Sequence, residues 1–281
     1  MIDLHTHSTA SDGTLTPREL VLLAKKEGLK ALALTDHDTI DGLKEAYETA
    51  KEVNLPFLCG VEISIKFDGP GHFHLLGYFL TPEIKTLDET LSELKKARKR
   101  RNESMIEKLR SLGIEITIEE LSAIAQGEIG RPHFARLLLE KGVVKSMEEA
   151  FEKYLKKGAP AYVPKALLTP DEGIRRILES KGVPVLAHPV TLKLDEKALK
   201  EYLEKLKELG LRGVEVYYSE HNKSFTEFLL SQASRLGLLI TGGSDFHGAN
   251  KPDIKLGRGF GNLQVPYECF VKLKEALEKV N

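Results

Sequence analysis

Histidine and acidic side chains recur in short clusters along this chain: Asp3-Leu4-His5-Thr6-His7, Asp36-His37-Asp38, Phe73-His74, Ala187-His188-Pro189 and Ser244-Asp245-Phe246-His247. Six of the nine histidines lie in them, and His5 with His7, His37, Glu62, His188, and Asp245 with His247 each fall at or just after the end of an apolar, strand-like run. In a β/α barrel such strand ends converge on one face, so residues scattered along the sequence would be gathered in space. Within the first cluster, the two-residue period of a strand sends His5 and His7 to the same side, where both imidazoles reach one cation. A single pair of this kind is as often structural as functional. Its repetition points to a site for several metal ions.

The first third of the chain alternates strand and helix patterns. Strands are expected at Ile2 to His5, Ala31 to Thr35 and Phe57 to Ile63, with helices from Pro17 and over Asp41 to Val53. This βαβαβ order is the sequence form of a parallel sheet. The first helix is punctuated by Thr16 as N-cap, Pro17 at the first position, Glu19 completing a capping box and Gly28 as the stop. Gly69, Pro70 and Gly71 predict the turn of a hairpin whose extended segments present His72 and His74. From about Leu87 to Lys157 the strand patterns give way to helical periodicity. Alternation then resumes with a capped helix at Thr169-Pro170-Asp171-Glu172, strands at Val183 to Ala187, Gly213 to Tyr217 and Leu238 to Thr241, and helices between and after them. The expected organisation is an α/β fold of two halves, 1–90 and 166–281, closing into one barrel, with a helical insertion over 91–165.

Composition removes other classes. A net charge of −1 and a pI near 6.8 give no global positive field for nucleic acid or an anionic membrane, so a stable nucleic-acid complex is not expected. Phosphate recognition must then be local. Two cysteines, Cys59 and Cys269, are too few for a disulfide framework, and the N-terminus does not read as a signal peptide, which makes a cytoplasmic location the expectation. No apolar run approaches the roughly 18 to 20 residues needed to span a bilayer.

Taken in order, His5-Thr6-His7, Asp12, Thr35-Asp36-His37-Asp38, Gly60-Val61-Glu62, His74, His188 and Gly243-Ser244-Asp245-Phe246-His247 resemble the ligand set of the PHP (polymerase and histidinol phosphatase) domain family. The resemblance implies a distorted seven-stranded, TIM-like β/α barrel holding two or three divalent metals. It implies that His5, His7, Glu62 and Asp245 hold one ion, that Glu62 bridges to a second held by His74 and His188, and that Asp12, His37 and His247 hold a third. Imidazoles and carboxylates without thiolate suit Mn²⁺, Fe²⁺ or Zn²⁺, and the preference for Mn²⁺ comes from the resemblance. Such a cluster suits hydrolysis of a phosphate ester by a metal-activated water, with Glu62 and Asp245 at the reacting centre. Asp36, Asp38 and Glu215 are candidates for orienting the imidazoles, with capping or surface roles as the alternative.

Within the insertion, Gly130-Arg131-Pro132-His133-Phe134-Ala135-Arg136 places Arg131 and His133 at a helix start, where backbone N–H groups favour an anion. Arg131, His133, Arg136, Lys165 and Arg258 are therefore the substrate-binding candidates, against a reading in which Arg136 pairs on a helix surface and His133 packs. His221, after the strand ending at Tyr217, is a candidate to bind phosphate or protonate a leaving oxygen. The basic run Lys95 to Arg101 reads as a solvated helix face. The order of motifs resembles the stand-alone members of the family that dephosphorylate nucleoside 3′,5′-bisphosphates or trim short RNA from the 5′ end, which implies a small phosphorylated substrate. A histidinol-phosphate phosphatase is the nearest alternative, and a non-catalytic module that binds a partner is the alternative of another class.

Overall fold

The computed structural model describes residues 1–125 and 129–280, so Gln126 to Glu128 of the expected helical block lie outside the described residues. Contacts divide the chain into two compact units, Met1–Leu91 with Leu167–Asn281, and Ser92–Ala166.

The first unit is built on a six-stranded sheet in the order β1 (Leu32–Leu34), β2 (Phe57–Ile65), β3 (Phe73–Phe79), β4 (Val183–Leu186), β5 (Gly213–Tyr218) and β6 (Leu239–Gly243). Ile2, Leu4, Ala33, Leu58, Leu76 and Val185 form its buried interior together with Phe270, Leu273 and Leu277 of the C-terminal helix. The sheet is mixed: β1 and β2 pair parallel as the βαβαβ order predicts, β2 and β3 form the antiparallel hairpin expected around Gly69 to Gly71, and β3 is also antiparallel to β4. The loop from β2 to β3 is a short hairpin connection, which cannot carry the crossover that a parallel pair needs.

The segment Asp3 to His7, expected as a strand, is bonded to both edges of this sheet. Asp3 bridges Leu32, and Thr6 bridges Phe246 just beyond β6. A sheet whose two edges meet the same segment must curl. The seven-strand count is not met, because side chains interrupt the ladder at this segment: Thr6 N–H donates to Thr35 Oγ1, Thr6 Oγ1 donates to Ala33 O, and the Asp3 carboxylate takes His5 N–H.

The helices of this unit are α1 (Pro17–Lys26), α2 (Leu43–Glu52), the start of α3 (Lys85–Ser111), α7 (Pro170–Glu179), α8 (Glu196–Glu208), α9 (Lys223–Leu236) and α10 (Tyr267–Val280). The capping box expected at α1 is present, with Thr16 Oγ1 accepting from Glu19 N–H and Glu19 Oε2 accepting from Thr16 N–H, and the same pair recurs at α7 with Thr169 and Glu172. Each satisfies two of the N–H groups a helix start leaves open, worth about 1 kcal/mol.

The second unit is helical: the remainder of α3, α4 (Ile118–Ile124), α5 (Arg131–Glu140) and the short α6 (Met147–Ala150), which continues as a single π-turn over Phe151–Leu155. It has its own core, with Met105, Leu109, Leu121, Phe134, Leu138 and Leu155 buried together. No helix among the described residues is long and apolar enough to cross a membrane.

Candidate metal centre

Strand ends deliver the ligands, and two of them arrive in ways that strand-end logic does not anticipate. Glu62 sits in the interior of β2, where it bridges His37. His74 lies at the start of β3, not after its end. Because β3 is antiparallel to its neighbours, its beginning lies at the face where parallel strands finish, and His74 joins the others there.

Glu62 is fully buried at the middle of the cluster. Its Oε2 lies 3.0 Å from His5 Nε2, 3.2 Å from His7 Nε2 and 3.2 Å from His37 Nδ1, while Oε1 lies 2.8 Å from His74 Nδ1 and 2.7 Å from His188 Nε2. Each oxygen thus faces a different group of imidazoles. Asp245 Oδ1 is 3.2 Å from His7 Nε2 and 3.3 Å from His247 Nδ1, and Asp12 Oδ1 is 3.2 Å from His247 Nε2. Donor atoms converge in three overlapping sets: His5, His7, Glu62 and Asp245; His7, Asp12, His37 and His247; and His37, Glu62 and His74. The nine ligand residues named from the sequence are all in this one cluster, with His188 reaching it through Glu62.

The imidazoles are held from behind. His5 Nδ1–H donates to Glu215 Oε1 at 3.0 Å, His188 Nδ1–H to Thr191 Oγ1 at 2.9 Å and His247 Nδ1–H to Asp245 O at 2.8 Å. In each ring Nδ1 is engaged from behind and Nε2 faces the cluster, the orientation a metal ligand requires. Glu215 does this as expected, and its Oε2 also takes His188 N–H at 2.7 Å. Asp36 does something else: it accepts from Ser8 N–H, Ser8 Oγ and Ser11 Oγ, fixing the loop that carries Asp12. Asp38 accepts from Ser64 N–H and Ser64 Oγ.

Three residues in or beside the cluster have left-handed backbones: Asp38, His188 and Asp245 have φ of 52°, 21° and 60°, as do Asn54, Lys181 and Lys193 elsewhere. Gly243 permits the closest approach, since a Cβ there would lie 2.4 Å from His5 N and Cβ.

The electrostatics fit a cationic occupant. Burial opposes charge on His7, but hydrogen bonding and attraction from Asp245 and Glu62 outweigh it and hold its pKa up at about 9. Burial likewise opposes charge on His5, yet Glu215 and Glu62 raise its pKa well above the ordinary value. Burial would raise Glu62, but His37, His5 and His74 pull it well below the carboxylate range. His37 goes the other way, dropped by burial to about 3. Both ring nitrogens of His7 are buried without a hydrogen bond of acceptable geometry, although Nε2 lies between Glu62 and Asp245. An imidazole nitrogen set between two buried carboxylates is a donor set that a divalent ion fits by displacing a proton, and the residues present therefore suit such ions.

Other predicted residues are placed differently. His221 donates from Nδ1 to Val216 O at 2.9 Å, and its buried Nε2 has no partner among the described residues. Burial lowers its pKa, which favours the neutral imidazole with Nε2 as an acceptor. His133 Nδ1 accepts Gly130 N–H at 2.9 Å and so caps α5, while Arg136 pairs with Glu140 at 2.9 Å on the helix surface. Lys165 is partly buried and Arg258 is exposed on a turn. Lys251 was not anticipated: its Nζ lies 2.7 Å from Asp245 Oδ2, which also accepts from Tyr218 Oη at 3.1 Å. No spacing rule reaches Lys251, because a single Lys in a loop carries no pattern.

The profile of the PHP domain family matches residues 3–163. A 5′-3′ exoribonuclease from Haemophilus influenzae is 36% identical over 87% of this chain and 89% of its own length. A 3′,5′-nucleoside bisphosphate phosphatase from Chromobacterium violaceum is 34% identical over 88% of this chain and 87% of its own. Among solved structures, one from Bifidobacterium adolescentis described as a metal-dependent phosphoesterase superposes with a TM-score of 0.77 at 33% identity, covering 98% of this chain and 96% of that one.

Proposed function

The chain belongs to the PHP domain family, and from that premise we propose that it is a metal-dependent phosphohydrolase acting on nucleoside 3′,5′-bisphosphates or short 5′-phosphorylated oligonucleotides. The observation that carries this reading is the division of Glu62, one oxygen facing His5, His7 and His37 and the other facing His74 and His188, which suits a carboxylate shared between adjacent cations. The substrate class follows the relatives, one of which is named for each activity.

His5, His7, Glu62 and Asp245 would hold one ion, Glu62, His74 and His188 a second, and Asp12, His37 and His247 a third, with Mn²⁺ preferred and Fe²⁺ or Zn²⁺ suited to the same donors. Divalent ions seated there would lower the pKa of a water and offset charge on the phosphoryl oxygens. The chain's own contribution is preorganisation. Glu215, Thr191 and the Asp245 carbonyl hold the imidazoles with Nε2 inward, so little reorganisation accompanies binding. Asp12, half-exposed where the other carboxylates are buried, stands at the open side where a phosphate ester enters. Lys251, beside Asp245 and partly exposed, adds a positive charge at the same mouth.

The scaffold reading extends the same way. Counting Asp3 to His7 as a further stave gives a distorted seven-stranded barrel, supported by its bonding to both β1 and β6. The helical unit is read as the part that recognises substrate beyond the scissile phosphate.

The test is phosphate release by Mn²⁺-loaded enzyme from adenosine 3′,5′-bisphosphate, short 5′-phosphorylated RNA and histidinol phosphate. Preference for the nucleotides supports the proposal. Preference for histidinol phosphate would replace it, and a purified protein that binds no metal would favour a non-catalytic module.

A further inference from the structure

The two buried acids of the cluster are built differently. Glu62 turns each oxygen to its own group of imidazoles. Asp245 turns one oxygen to them: Oδ1 lies 3.2 Å from His7 Nε2, 3.3 Å from His247 Nδ1 and 3.8 Å from His5 Nε2. Its Oδ2 is taken by two donors of the chain, Lys251 Nζ at 2.7 Å and Tyr218 Oη at 3.1 Å. Asp12 has no such division, since its side chain is 57% exposed and its Oδ1 and Oδ2 lie 3.2 Å from His247 Nε2 and 3.9 Å from His37 Nε2.

Neither donor is a casual surface contact. Tyr218 ends β5, is buried, and has its ring 5.2 Å from those of both His188 and His221. Lys251 is partly exposed, but the carboxylate it meets is buried, and a charge-assisted bond of this length to a desolvated oxygen is a strong one. The turn that carries Lys251 is fastened as well. Ala249 N–H donates to Thr14 Oγ1 at 2.9 Å, Asn250 Nδ2 donates to Asp12 O at 2.7 Å, and Ile254 and Leu256 are buried just beyond.

The number of oxygens a carboxylate can offer bears on which ion it selects. Ca²⁺ takes a large shell of oxygens and accepts both from one carboxylate, whereas Mn²⁺, Fe²⁺ and Zn²⁺ are served by single oxygens set among imidazoles. We propose that Lys251 and Tyr218 are specificity-determining positioning residues: by occupying Oδ2 they make Asp245 a one-oxygen ligand and bias the centre against Ca²⁺. The proposal rests on the reading of the cluster as a divalent-metal centre. Lys251 acts here through Asp245, and its charge alone would act on every divalent ion alike.

The experiment loads the full chain with Mn²⁺, titrates it with Ca²⁺ and follows the released Mn²⁺ by electron paramagnetic resonance. It is run on wild type, Lys251→Met, Tyr218→Phe and Lys251→Arg, with the retention of Mn²⁺ against a chelator measured in parallel. The Ca²⁺ concentration that displaces half of the Mn²⁺ should fall by about fivefold or more in Lys251→Met, where Oδ2 is freed from its cation. It should fall by a smaller factor in Tyr218→Phe, which removes the weaker bond, and stay near wild type in Lys251→Arg, which keeps a donor on Oδ2. A structural role would weaken both ions together, and a purely electrostatic one would strengthen both together. Either leaves the half-displacing concentration unchanged, and that result would overturn the proposal, as would an equal fall in Lys251→Arg. Should Lys251→Met fail to melt cooperatively, Tyr218→Phe carries the same decision. A wild-type chain that retains no Mn²⁺ would instead remove the metal centre itself, a failure visible before any variant is made.

Discussion

Replacing Glu215 by Gln changes one atom at a fully buried position and should uncouple metal binding from the fold. Glu215 Oε1 accepts from His5 Nδ1–H and Oε2 accepts from His188 N–H, at 3.0 Å and 2.7 Å. A glutamine can satisfy only one of them. With its carbonyl toward His188, the amide NH₂ faces His5 Nδ1, which must then offer a lone pair, and the proton moves to Nε2, 3.0 Å from Glu62 Oε2 inside the cluster. With the amide flipped, His5 is unchanged but His188 N–H meets another donor and is left buried without a partner, at about 1–3 kcal/mol. The ion site is impaired in the first arrangement and the backbone carrying His188 in the second. Loss of such an orienting partner typically lowers metal affinity by about 10- to 100-fold, or roughly 1.4–2.8 kcal/mol. Competition against a chromophoric chelator measures this directly, with urea denaturation of the metal-free protein as the control for folding. A Glu215→Gln variant that holds Mn²⁺ within about twofold of wild type would refute the argument that this carboxylate fixes the ring.

Further outcomes are expected. Gly243→Ala should lower stability by about 1–3 kcal/mol and weaken metal retention, because the added methyl meets His5 backbone and Cβ, and a fully metallated variant would count against that crowding. Metal affinity should weaken as pH falls below about 9, since His7 holds a proton up to about 9 in the metal-free centre and must release it to coordinate, so a pH-independent dissociation constant between pH 6 and 9 would contradict the assignment. Burial raises Asp3 from 3.8 to about 6, so its contribution to stability is full below 3.8 and is lost as pH rises through 6. Wild type should therefore lose up to roughly 3 kcal/mol relative to Asp3→Asn over that window, and parallel stability curves for the two proteins would remove this titration. Arg131→Ala should raise KM for a bisphosphate about tenfold more than for a simple aryl phosphate, with equal effects excluding a second anchor.

Residue type and position at strand ends were enough to name the candidate ligands His5, His7, His37, Glu62, His188, Asp245 and His247, because period-two geometry and barrel convergence are properties of the backbone alone. Glu62 in fact lies within β2, and His74, which begins β3, required the family resemblance. The antiparallel course of β3 was legible in the Gly69-Pro70-Gly71 turn and explains the placement of His74, whereas its second antiparallel pairing, with β4 across the helical insertion, depends on tertiary contacts that local patterns cannot show. Thr16 with Glu19 and Thr169 with Glu172 were legible because capping is local. The partner of Asp36 was not: an acidic residue flanking a histidine invites an orienting role, while its carboxylate is taken by two serines of a loop 25 to 28 residues away. Arg101, buried at the end of the basic run that reads as a solvated face, was hidden as well, because a run of basic residues does not reveal which one turns inward.

The tie between Asp3 and the far end of the chain bears on the order of events during biosynthesis. Asp3 Oδ1 accepts from Ser244 N–H and Oδ2 from Ser244 Oγ and Gly257 N–H, pairings that span 241 and 254 residues. The helical unit, with its separate core, can therefore condense while most of the second half is still being translated, whereas Asp245 and His247 join His5 and His7 only after β6 has left the ribosome. On the proposed metal-site reading, insertion of a cation would come only after β6 is made, and a nascent chain stalled short of β6 would emerge with donors for a cation but no closed cage to keep it.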